Sequence, residues 1–135
     1  MANEVEVTTL LGNQGDPVEY TVADGTAIPK GTILKIGSSP KTAVAATADG
    51  DLIVGVAANE KKISDGVTKM SVLTHFIGET YSASGMTLGK YQKVEGANAV
   101  TDADDSTIAN KMEACCLSLE TNAGSATSAC LWNIG

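Results

Sequence analysis

Short β-favouring runs recur along this chain between clusters of Gly and Asp, and this punctuation limits the possible folds more than any single motif does. The runs fall at residues 31–36, 42–46, 52–58, 68–77, 90–94, 113–119 and 129–134. Residues 107–117 could pass for a short helix, although their Thr, Ile and Cys content is poor helix material. Many short strands at this spacing predict a mainly β fold, a sandwich or a barrel.

The runs also repeat. Gly31-Thr-Ile-Leu-Lys-Ile36 can be laid on Gly89-Lys-Tyr-Gln-Lys-Val94, and each is followed by a loop and then Ala43-Val44 or Ala99-Val100, so both read as hairpins. Next in each copy comes an acidic loop, 49–51 or 102–105. A small-residue strand ending in Glu comes after it, Val54-Gly-Val-Ala-Ala-Asn-Glu60 or Ala114-Cys-Cys-Leu-Ser-Leu-Glu120. Each copy closes on a last strand, Val72-Leu-Thr-His-Phe-Ile-Gly78 or Cys130-Leu-Trp-Asn-Ile-Gly135. A unit of about sixty residues that occurs twice predicts a pseudo-symmetric β domain and not an open array.

Residues 2–16 differ from the rest. Val5, Val7 and Thr9 alternate with Glu4, Glu6 and Thr8, which suits a strand but offers too little apolar surface to fold alone. Gly12 and Gly15 uncouple this stretch from the remainder of the chain, and Asp16-Pro17 opens a run in which Val18, Tyr20 and Val22 alternate with Glu19 and Thr21. The expected organisation is a flexible N-terminal arm, 1–16, ahead of a single β-rich domain, 17–135. The alternative is that the arm forms an edge strand of its own domain.

Composition excludes several functions. At 135 residues and a net charge of −7 the chain fits one domain, with a core built from Val, Ile, Leu and Ala because only Tyr20, Phe76, Tyr81, Tyr91 and Trp132 are aromatic. All nine basic residues are Lys, so the bidentate guanidinium fork that reads phosphate and guanine edges is missing and nucleic-acid binding is disfavoured. The first residues carry neither a basic region nor an apolar run, and no stretch approaches a membrane span, so a protein without a signal peptide or membrane partner is expected. Cys115, Cys116 and Cys130 are too few and too bunched for a disulfide framework, which points to a reducing folding compartment.

No constellation assembles into chemistry. His75 is the only histidine, lies on the strand face opposite Met70, Val72, Thr74 and Phe76, and has no nucleophile motif beside it. Cys115-Cys116 lacks the spacer of a redox or zinc motif. A hairpin across residues 121–125 would set Cys116 opposite Cys130, where either a cross-strand disulfide or two buried thiols could result. Asp102, Asp104, Ser106 and Glu113 hold calcium-loop positions, but Thr107 stands where that loop needs Gly. Gly12-Asn-Gln-Gly15 precedes a strand and carries no Lys, so it is no phosphate cradle. No catalytic residue, cofactor or metal is expected.

The order of segments resembles the head decoration proteins, or capsid cement proteins, of tailed bacterial and archaeal viruses. A polar arm is followed by Asp16-Pro-Val-Glu-Tyr-Thr-Val22, by the hairpin at Gly31-Thr-Ile-Leu-Lys-Ile36, then by Ile53-Val-Gly-Val-Ala-Ala58 and Met70-Ser-Val-Leu-Thr-His-Phe-Ile-Gly78. The resemblance covers most of the chain, and residues 86–135 extend beyond the short lambda-type pattern. It implies a mainly β fold, a compact β-barrel-like or β-tulip domain with pseudo-duplicated hairpin units and an extended N-terminal arm. It also implies a homotrimer on the outer surface of the expanded capsid, at three-fold and quasi-three-fold positions, made in the host cytoplasm and partnered by the major capsid protein. On that reading the arm residues Glu4, Val5, Glu6, Val7, Thr8, Thr9, Leu10 and Leu11 add a strand to an edge of the capsid protein. The rival is a non-viral β-sandwich interaction module, such as a carbohydrate-binding or adhesin-like domain, which would normally present exposed aromatics.

Overall fold

A computed structural model describes residues 3–10, 18–49, 51–103 and 113–134. Among these the chain forms eleven strands and no helix. They are β1 (Glu6–Leu10), β2 (Val18–Thr21), β3 (Ile33–Ile36), β4 (Ala43–Ala45), β5 (Ile53–Ala57), β6 (Lys69–Leu73), β7 (His75–Ser82), β8 (Tyr91–Gly96), β9 (Ala99–Asp102), β10 (Ala114–Ser118) and β11 (Ala126–Asn133). Residues 114–117, placed at the end of a possible helix by sequence, belong to β10; the rest of that stretch lies outside the described residues apart from Glu113.

The strands make two rings of one topology. The first runs β2-β6-β5-β3-β4 and returns to its start through a parallel bridge between Thr21 and Thr42. The second runs β7-β11-β10-β8-β9 and closes where Tyr81 of β7 meets Ala99 of β9, again in parallel. Even the isolated bridges repeat. Ile28 and Lys61 exchange both backbone hydrogen bonds at 2.9 and 2.8 Å, and Met86 and Asn122 do the same at 3.1 and 3.0 Å.

This duplication confirms the repeat seen in the sequence and refines its register. Gly31 N–H donates to Ala57 O and Gly89 N–H to Ser118 O, both at 2.9 Å, so Gly31 does match Gly89. The same bonds set Ala57 against Ser118, one residue from the sequence alignment, and the hairpin partners set Ala43 against Val100, also one residue away. Register irregularities between Leu34 and Lys35 and between Ala114 and Cys116 accompany the first shift, and the shorter β8–β9 hairpin, with its own irregularity between Val94 and Gly96, accounts for the second. The run 68–77 likewise divides at Thr74: Lys69–Leu73 completes the first ring and His75 opens the second.

The interiors differ. The first barrel is filled by Val22, Ile28, Leu34, Ala43, Ala57, Met70 and Val72. At matching positions the second places Gln92 for Leu34, Ser118 for Ala57 and Ser128 for Met70, all buried. Buried polar groups cost stability unless they are paired; most of the polar atoms here are, while Gln92 Oε1 is buried without a partner. Gln92 Nε2 donates to Asp102 Oδ1 at 2.8 Å, Asn122 Nδ2 to Ser128 Oγ at 2.7 Å, and Trp132 Nε1 to Thr80 Oγ1 at 3.1 Å.

A second apolar cluster joins the halves. Ile33, Ala46 and Val56 on the outside of the first barrel pack in one core with Phe76, Val94, Val100, Cys116 and Trp132 of the second. Phe76 and Trp132 stack with centroids 5.5 Å apart, a contact worth about 1 kcal/mol beyond the area it buries. Fully buried Asn98, at the β8–β9 turn with φ 54°, accepts Ile33 N–H on its Oδ1 at 2.9 Å. Lys93 reaches Asp49 across the joint at 2.9 Å.

Candidate functional site

The arm residues named from sequence lie against the domain wherever they are described. Val5 N–H donates to Gly31 O at 2.7 Å, and the Val5 side chain is buried in the joint between the barrels. Gly31 makes this approach possible: its φ is +87°, and a Cβ there would stand 2.3 Å from Val5 O. Glu6–Leu10 then pairs antiparallel with β7, Glu6 opposite Glu79 and Leu10 opposite Phe76, with a bulge between Val7 and Thr9. Thr8 Oγ1 donates to Ile77 O at 3.0 Å. Residues 3–10 of the expected arm are thus held against the domain by the buried Val5 and a run of ladder hydrogen bonds. Leu11 and the remainder of the arm to Asp16 lie outside the described residues.

β1 nonetheless keeps the character of an attachable strand. It has one strand neighbour among the described residues, β7, and so presents a second edge of backbone N–H and C=O groups. Glu6, Thr8, Thr9 and Leu10 are exposed and Val7 is half-buried, whereas most core strands bury every second residue. A cleft of about 480 Å3 separates β1 from Gly31, Ala57, Ala58, Ser71 and Leu73. The Glu6–Glu79 pair places like charges opposite each other, which weakens this docking relative to a neutral pair.

Two polar features escape sequence reading. Lys61 is fully buried beyond the C-terminal end of β5, at the end of the first barrel opposite Ile36, where its Nζ donates to Asp24 O, Asp24 Oδ1, Lys62 O and Asp65 Oδ1 at 2.8 to 3.1 Å. Burial pushes its pKa down, but the bonds to Asp65 and Asp24 outweigh this and the net shift is upward, so the ammonium stays charged. Asp65 is held down at about 2, first by the Val67 N–H and then by Lys61 and the Lys62 N–H working against desolvation. The second missed feature is Asn98, whose amide bridges the halves. A lysine within a polar loop and an asparagine in a turn both look like solvated residues, and only the closed rings bring them inside.

The remaining candidates do not converge. His75 begins β7 opposite Asn133 and is half-buried. Cys116 faces Trp132, and Ser118, not Cys116, faces Cys130, because the β10–β11 register is displaced by two residues from the simple hairpin. All three cysteines are free and buried. Burial first, and then the neighbouring thiols, push the Cys116 pKa up, so it remains a protonated packing group. Of the would-be calcium loop, Asp102 is tied to Thr87 and Gln92, Glu113 begins the segment before β10, and residues 104–112 lie outside the described residues. Among the described residues no three His, Cys, Asp or Glu side chains are grouped to hold a metal ion. No helix there is long and apolar enough to cross a membrane.

The fold defines a class, the tandem pair of five-stranded β-rings with an added N-terminal strand. No family model matches the chain, and no curated protein matches it. Among solved structures it is similar to the one described as the head fiber gp8.5 N base in bacteriophage phi29, with a TM-score of 0.59 and 12% identity. The match covers 86% of this chain and 93% of that one, so the two share a fold across both rings.

Proposed function

We propose that this chain is a structural protein of a tailed-virus head. It binds the outer surface of the expanded capsid as trimers at three-fold and quasi-three-fold positions and stabilises the shell. The observation that carries this reading is the likeness to a phage head fiber base over nearly the whole length of both chains, found independently of the sequence resemblance to head decoration proteins.

The capsid contact in this account is the segment Glu4 to Leu11, whose β1 part offers its unpaired edge to a strand of the major capsid protein. Each net backbone hydrogen bond is worth about 1 kcal/mol, so a single strand attaches weakly; three strands on one trimer attach tightly by raising the effective concentration of the second and third.

Co-sedimentation with expanded, undecorated heads tests the reading. The full chain should pellet with heads and a variant lacking residues 2–10 should not, while remaining folded and oligomeric. Binding of the truncated protein would remove the arm from the contact. Failure of the full chain to bind heads, with binding to immobilised glycans, would favour a carbohydrate-binding module instead.

A further inference from the structure

The joint between the two barrels uses one face of the first and one mouth of the second, and each of these surfaces has a counterpart elsewhere on the molecule. On the first barrel the row Ala46–Ile33–Val56–Leu73 crosses four strands: Ala46 N–H donates to Ile33 O, Ile33 pairs with Val56 and Val56 with Leu73. Its equivalent on the second barrel is Ala103–Tyr91–Leu117–Leu131, with the same bond from Ala103 N–H to Tyr91 O and the same two pairings. The first row is covered by the second barrel, and Ile33 has no exposure. The second row lines a cleft of about 610 Å3, and Tyr91 is 61% exposed.

The mouths show the reverse. In the second barrel Val94, paired with Val100, is buried in the joint, and Asn98 at the adjoining turn caps Ile33. The matching pair in the first barrel is Ile36 with Ala43, and Ile36 is 53% exposed, with Val18 also exposed on the neighbouring part of the sheet. Lys41 occupies the turn position of Asn98, and the two share one backbone conformation, φ 55° and 54°. Among the described residues each end thus carries one half of the joint, unused.

We propose that copies of this chain associate head to tail, the mouth of the first barrel around Ile36 in one copy packing on the Tyr91–Leu117–Leu131 face of the second barrel in the next. The contact repeats the apolar part of the internal joint; Asn98 Oδ1 accepts the Ile33 N–H there, whereas Lys41, whose side chain has no acceptor, meets the Tyr91 ring with its ammonium instead. Such an interface is heterologous, so it closes into a ring if the rotation between halves permits and otherwise runs on as a filament. The inference rests on the self-assembly part of the proposed function and not on the capsid.

Tyr91→Glu and Ile36→Glu alter exposed side chains and leave both cores intact, so each variant should fold, with the parent's melting midpoint once the parent is diluted to monomer. Sedimentation equilibrium should show the parent chain as an oligomer and each variant alone as a monomer. An equimolar mixture of the two should form dimers and nothing larger, because one retains a working mouth and the other a working face. A parent chain that stays monomeric at every concentration, a single variant that still assembles, or a mixture that stays monomeric would each overturn the proposal. Sedimentation of the chain alone tests this inference without heads, and the same proteins incubated with expanded heads separate the two readings: head-to-tail oligomers that ignore heads would remove the capsid reading alone, and head-bound trimers that survive both substitutions would remove this inference alone.

Discussion

Replacing Val5 by Ala should lower the stability of the isolated protein by about 2 kcal/mol. Val5 is 4% exposed and packs in the same cluster as Ile33, Val56 and Phe76. The substitution removes two methyl groups, each worth about 0.8 kcal/mol on transfer from water. A cavity cost of a few tenths of a kcal/mol adds to this, since the Val5 N–H remains tied to Gly31 O and limits collapse of the backbone into the gap. For a chain of this length, about 2 kcal/mol corresponds to a fall of roughly 6–10 °C in the melting midpoint. The loss cannot exceed the free energy of docking the strand, so deletion of residues 2–10 sets its ceiling and must cost at least as much. Urea denaturation followed by Trp132 fluorescence reads both, because Trp132 stacks on Phe76 in the same cluster. A Val5→Ala midpoint equal to the parent's would refute the docked position of these residues. Gly31→Ala provides an independent check, since its Cβ would collide with Val5 O and should release β1 to fast amide exchange.

Asn98→Ala should cost about 1–3 kcal/mol, the penalty of leaving the Ile33 N–H buried without its acceptor, with the loss read by thermal unfolding. Asp65 contributes stability that is complete above its unfolded value near 3.8 and is lost as pH falls toward its folded value of about 2. Asp65→Asn should therefore flatten the acid limb of a stability–pH curve between those values, and an unchanged limb would count against the Lys61 cluster. Cys116→Ser should destabilise by about 1 kcal/mol more than Cys116→Ala, because a hydroxyl is harder to bury than a thiol, and head binding should survive the Cys116→Ala, Cys130→Ala pair.

Much of the architecture is legible in the sequence because it rests on local signals. Gly31 and Gly89 mark the same turn in each half, and the alternation of Met70 and Val72 with polar neighbours marks the inward side of β6. The register is not legible to the residue, because a bulge between Ala114 and Cys116 moves every later side chain without changing composition. The N-terminal strand is misleading for an energetic reason: Glu4 to Leu11 holds little apolar surface in total, but Val5 is buried in the joint and Val7 packs against it. Lys61 and Asn98 are invisible because their burial depends on partners far away in sequence, Asp24 and Ile33. The unused half-joints at Ile36 and Tyr91 stem from the repeat, yet they need the cross-strand pairings to be recognised.

The most direct test of the proposed role is an image reconstruction of expanded heads incubated with the purified chain. The account predicts density for two stacked β-rings per copy on the outer surface of the shell, grouped in threes about three-fold and quasi-three-fold axes, with β1 against the capsid protein. Bare heads at saturating protein, or density confined to the shell interior or the tail, would contradict it.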